Sequence, residues 1–228
     1  MNAADFFLVH HARLHAAGVA DPSSMWERVY GGLSDEQLRA RPPGMNSLAW
    51  LLWHTARTED VNVNLVVTAG HQVFDDAWAR RLGIGRVDIG TGMTDGEVTD
   101  LSRRIDLAAA RAYRNAVGKR TREVVATLRE GAWDERVEPL DVNRAVAAGA
   151  FGPHAGWVEK FWQGVTRANR LGATGSVSEE PLTEILKYLP GKVAQCRIFA
   201  TTHEHDAALA AALKRALNEE PSSIVTNV

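Results

Sequence analysis

Apolar residues recur along this chain at three- and four-residue spacing, and two-residue alternation is almost absent. That period is helical, so the chain reads as all-α. The first pattern runs from about Ala3 to Ala17, stops at Gly18 and resumes from Pro22 to Tyr30. Asp21 suits its second N-cap and Pro22 the first helical position after it. Ser34-Asp-Glu-Gln37 has the spacing of a capping box, and Pro42-Pro43 ends what it starts. The second pattern spans about Asn46 to Ala69, with Asn46 or Ser47 as cap and Gly70 as left-handed stop. Leu51, His54, Thr58, Val61 and Leu65 share one face of it; Leu48, Leu52, Ala56, Val63 and Val66 cover the next. So wide an apolar arc predicts burial on more than one side.

The third pattern, Asp100 to Glu130, reads as one long helix, and a short helix is predicted from Trp157 to Leu171. The last begins at Pro181, is interrupted at Pro190-Gly191 and continues to about Leu217, with a frayed tail over 218–228. Residues 70–100, with five glycines between Gly83 and Gly96, read as an irregular loop of the kind that covers a site. A second long connection is expected over 131–156. Long helices joined by long loops predict a bundle with crossover connections in a single domain, 1–217.

Composition narrows the function little. At 228 residues, 45% apolar and 24% charged, the chain matches an ordinary globular protein. A net charge of −2 gives no reason to expect nucleic acid or an anionic membrane as partner. No apolar run approaches the roughly 18 residues that span a bilayer. The N-terminal Met-Asn-Ala-Ala-Asp-Phe-Phe lacks a basic region ahead of its apolar run, against a secretory signal. The single cysteine, Cys196, leaves no internal disulfide and no cysteine-rich zinc site. A cytoplasmic address is the default expectation.

The candidate chemistry lies in the histidines. His54 interrupts an apolar helix face and needs a partner: a hydrogen bond, a titratable neighbour or a metal ion. On the last helix, Ile198, Thr202, His205, Leu209 and Ala212 share a face, so His205 also points inward. His203 lies about 160° from His205 on a regular helix, which a local distortion would have to reconcile. His11 and His15 have the i, i+4 spacing of metal ligands, but a bare pair without an adjoining acid is left outside the shell. His71 and His154 are read as loop residues. Glu59 and Asp60 rotate away from His54 by about 140° and 240°, and are expected in surface pairs or bonds to neighbouring loops.

Ser47-Leu-Ala-Trp-Leu-Leu-Trp-His54-Thr-Ala resembles the second helix and first metal histidine of the DinB-like superfamily. Its members, metal-binding four-helix bundles, include mycothiol-dependent maleylpyruvate isomerase and bacillithiol transferases. Leu33-Ser-Asp-Glu-Gln-Leu38 followed by Arg41-Pro resembles the lead-in to that helix, and His205-Asp-Ala-Ala-Leu209 resembles the histidine stretch of the last one. The resemblance implies a DinB-like four-helix bundle with core elements about 22–130 and 181–217 and an N-terminal helical extension. It implies a divalent metal, zinc or nickel, on His54 and His205, with His203 or water completing the shell. It also implies transfer or isomerisation of a small-molecule substrate with a low-molecular-weight thiol, and a homodimer. One departure stands out: Thr201 occupies the position of the family's His or Glu ligand four residues before the last histidine. Either His203 or another group completes the site, or the site binds metal weakly, or the metal has been lost. Metal-dependent hydrolysis and a metal-free module binding a small ligand or a protein are therefore the alternatives.

Overall fold

The N-cap predicted at Ser47 is in place, its Oγ accepting the Trp50 N–H at 3.0 Å and opening the central helix of the protein. The computed structural model describes residues 2–15, 30–42 and 44–175, all within the compact unit Met1–Ile185. The last predicted helix, with Cys196, Thr201, His203 and His205, lies outside the described residues, as does nearly all of the predicted segment 22–30. Among the described residues the protein is all-α, without a strand.

The helices are α1 (Ala3–Leu14), α2 (Asp35–Arg39), α3 (Leu48–Asp60), α4 (Asp76–Leu82), α5 (Asp95–Arg104), α6 (Leu107–Thr127), α7 (Pro139–Ala147), α8 (Gly156–Trp162) and α9 (Arg167–Gly175). None is long and apolar enough to cross a membrane. α3 packs chiefly on α6, and α1 packs on α6 and α9.

The predicted capping box forms: Ser34 and Gln37 each bond the other's backbone N–H at the start of α2. The arginines that follow then tie the lead-in to α5. Arg39 donates to the carbonyls of Ser102, Arg103 and Ile105, and Arg41 to the carbonyl of Asp95.

α3 does not end at a glycine. It runs on as a π-helix, Val61–Val67, in which Thr68 N–H reaches back five residues to the Val63 carbonyl. The wider turn serves two cores at once. Val61, Leu65 and Val66 join Val137, Val142, Ala145, Val158 and Trp162; Val63 and Val67 join Phe7, Val124, Val125, Trp133 and Leu171. The broad apolar arc thus means burial on both sides, as predicted. The left-handed residue that closes the segment is Ala69 (φ 53°), one position before the expected Gly70.

The structure corrects the predicted element boundaries at four places. Residues 70–100 are not irregular throughout: Asp75 caps α4 and Gly83 closes it, while Thr94 and Glu97 form a capping box for α5. The single helix expected over 100–130 is two, because the Asp106 carboxylate takes the Ala109 N–H and restarts the chain as α6. Pro139 opens α7 inside the expected connection 131–156. The helix expected over 157–171 breaks between α8 and α9, where Val137 exchanges backbone hydrogen bonds with Val165 and Gly164.

Asp60, at the end of α3, organises the loop beside it. Its carboxylate accepts from the Val73 and Phe74 N–H groups, each at 2.9 Å, and from the Asn64 amide. It also accepts from the Tyr113 hydroxyl and from Arg57. Arg57 in turn donates to the Val87 carbonyl and lies over the Phe74 ring. The expectation that Asp60 bonds a neighbouring loop holds, but as a fully buried group rather than a surface one.

Candidate metal centre

Three ligand-type side chains converge where α1, α3 and α6 meet. His11, on α1, and His15, the residue that caps its C-terminal end, have stacked rings with centroids 4.0 Å apart. Glu59 reaches them from the last turn of α3. His11 Nε2 lies 3.1 Å from Glu59 Oε1, and His15 Nε2 lies 2.8 Å from Oε2. All three side chains are buried, at 0%, 1% and 3% exposure. Among the described residues this trio is the cluster whose donor atoms are close enough to hold one ion.

The surroundings fix the protonation. A carboxylate only accepts, so both Nε2 atoms donate to Glu59. That leaves Nδ1 of each ring without a hydrogen-bond partner among the described residues. Burial lowers the His15 pKa to about 4, against the pull of Glu59 and with the help of Arg114. Burial pushes Glu59 up, but the neighbouring His15 and the hydrogen bonds from both histidines hold its carboxyl well below the usual range. The Thr121 hydroxyl adds a third donor, 2.6 Å from Oε1. Phe7 stacks on His11, and Gly118 of α6 leaves room for the His15 ring.

These residues fit a zinc-class ion. Two histidines and a glutamate are an established zinc donor set, and tetrahedral bonds of about 2.1 Å place ligand atoms about 3.4 Å apart. The observed spacings of 2.8 and 3.1 Å run to different oxygens of Glu59, and one ligand atom from each of the three side chains lies within 4.8 Å of the others. An ion bound through Nε2 would move each imidazole proton to Nδ1. No acceptor awaits it among the described residues, so the rings are oriented by stacking rather than by a carboxylate behind them.

His54 sits elsewhere. Five residues before Glu59, it is displaced about 7.5 Å along α3 and about 140° around it. Its Nδ1 bonds the Ile89 carbonyl at 2.5 Å and its ring stacks on Trp50. A carbonyl accepts, so Nδ1 carries the proton and Nε2 the lone pair, the tautomer suited to ligation. Burial lowers its pKa, with the Ile89 carbonyl and Asp88 opposing. Gly90 (φ 84°), next in the chain, lies close against α3: a Cβ there would fall 2.5 Å from the Trp53 ring. The ligand partners expected for His54, His203 and His205, lie outside the described residues.

The i, i+4 spacing alone leaves His11 and His15 outside the shell, and helix rotation alone puts Glu59 in surface pairs or bonds to neighbouring loops. The structure buries Glu59 between them. The available signal was the width of the apolar arc on α3, which left no exposed face for a carboxylate. His71 and His154 are exposed loop residues, as read.

A family model described as the DinB superfamily matches residues 23–155. The matched range contains His54 and Glu59 and begins after His11 and His15. Comparison with curated proteins gives no match.

Proposed function

This chain belongs to the DinB superfamily, and from that premise we propose that it is a metal-dependent enzyme whose divalent ion is held by His11, His15 and Glu59. The observation that carries this reading is the convergence of two imidazole Nε2 atoms on one buried carboxylate within 3.1 Å. When bound, a zinc-class ion supplies Lewis acidity, which favours the thiolate form of a low-molecular-weight thiol at neutral pH. The proposed reaction is thiol-dependent transfer or isomerisation, as the family resemblance implies. His11 and His15 supply nitrogen donors, and the burial of His15 keeps protons from competing for its ring. Glu59 supplies the single negative charge, and its depressed pKa keeps that charge in place. His54, held by Ile89, keeps the sequence-based proposal of a metal ligand set with His205 and His203 as an alternative assignment, which loss of metal in His54→Ala would favour.

A second reading has an observation of its own. Glu59 already receives hydrogen bonds from His11, His15 and Thr121. That satisfaction suits a metal-free bundle that binds a small ligand or a protein. Elemental analysis of protein purified without a histidine tag separates the readings. Stoichiometric zinc or nickel, lost in a His11→Ala, His15→Ala double variant and kept in His54→Ala, supports the first. Metal kept in the double variant overturns that assignment. A melting temperature that responds to neither added zinc nor a chelator favours the metal-free reading.

A further inference from the structure

α6 presents Arg114, Gly118 and Thr121 along one stripe, at i, i+4 and i+7, toward the cluster. Each meets it differently. Gly118 backs the His15 ring, the charge of Arg114 acts on both Glu59 and His15, and Thr121 touches the carboxylate itself. The bond made by Thr121 is unusual for a helical threonine. Thr55, Thr68 and Thr127 all turn their hydroxyls back to a carbonyl three to five residues earlier. Thr121, fully buried, directs its proton across to Glu59 Oε1 instead.

We infer that Thr121 is a positioning residue that sets the ion selectivity of the cluster by occupying one lone pair of Glu59 Oε1 and so favouring Oε2 as the ligand atom. This inference rests on the metal reading above. One oxygen and two imidazole nitrogens suit small ions that accept four ligands, the zinc class. Larger, oxygen-seeking ions such as manganese or calcium gain most from a carboxylate that offers both oxygens. The Thr121 bond makes one of them the poorer ligand. Groups that orient a ligand in this way typically change metal affinity by about 10–100-fold when removed.

The test measures zinc and manganese dissociation constants by competition with a chromogenic chelator, for wild type, Thr121→Ser, Thr121→Val and Thr121→Ala. Thr121→Ser keeps the hydroxyl and should bind both ions within about threefold of wild type. Thr121→Val and Thr121→Ala should weaken zinc about 10–100-fold and manganese much less, so that the zinc-to-manganese preference falls at least about tenfold. The cobalt(II) form adds a spectroscopic reading: the strong visible absorption of a four-coordinate site in wild type should weaken in the valine variant. Equal weakening of both ions would reduce Thr121 to a structural role and overturn the inference, as would unchanged zinc binding in both the valine and alanine variants. Failure of wild type to bind zinc at all would instead overturn the metal reading on which the inference stands.

Discussion

Gly118 lies flat against the imidazole of His15: a Cβ built at this glycine would stand 2.5 Å from Nδ1 and 2.9 Å from Cε1. Glycine in the middle of a 21-residue helix otherwise costs stability, about 1 kcal/mol relative to alanine. Here the close approach requires it. Gly118→Ala should destabilise the protein by about 1–2 kcal/mol, since overpacking of about 1–3 kcal/mol outweighs the gain in helix propensity. Urea denaturation is the measurement. A stabilised variant would show that His15 does not occupy this position.

The depressed pKa of His15 makes acid sensitivity a property of the cluster. The folded state disfavours its protonation, so the unfolded chain binds more protons between the ordinary value of 6.5 and about 4. Stability from this group is complete above about pH 6.5 and declines as pH falls toward 4, by up to about 3 kcal/mol. Glu59 acts in the same direction: its carboxyl is lowered, so its contribution is present above 4.5 and is lost as pH falls further. Unfolding free energies measured with chelator from pH 7.5 to 4 should decline more steeply in wild type than in His15→Ala. Parallel curves would remove His15 from the account.

Asp60 gives the protein its loop geometry, and the consequence is measurable. Its carboxylate accepts five hydrogen bonds, two of them from the backbone of Val73 and Phe74. Asp60→Ala strands the buried Arg57 and should cost about 3–5 kcal/mol. Tyr113→Phe removes two bonds, the one donated to Asp60 and the one accepted from Arg57, and should cost about 1–3 kcal/mol. Limited proteolysis should cut the alanine variant within residues 70–90 before wild type. An Asp60→Ala cost below that of Tyr113→Phe would mean that the loop is held by other contacts.

Much of the fold was legible because its signals are local. Ser34 with Gln37 and Ser47 with Trp50 act within one turn, and the helical period of α3 and α6 survives whatever packs against it. The break at Asp106 was missed because an acidic residue within an apolar period reads as an exposed helical position until its carboxylate is seen to take a backbone N–H. The candidate site was legible only in part. His54 announced itself by interrupting an apolar face. The partner of His11 and His15 lies 48 and 44 residues away, and no spacing rule connects an i, i+4 pair to a carboxylate at that distance. Rotation separated Glu59 from His54 correctly, but rotation alone does not say whether a second helix waits on the other side.

The π-helix at Val61–Val67 gives this central element slack in length. A regular helix cannot lose a residue without turning everything beyond it by about 100°. A wide turn can, because it already holds one residue more than the regular form needs. Deleting one residue between Glu59 and Thr68 should therefore tighten this turn to the regular form and leave the chain beyond Thr68 in register. The element can shorten here without disturbing the end of the helix that carries Glu59.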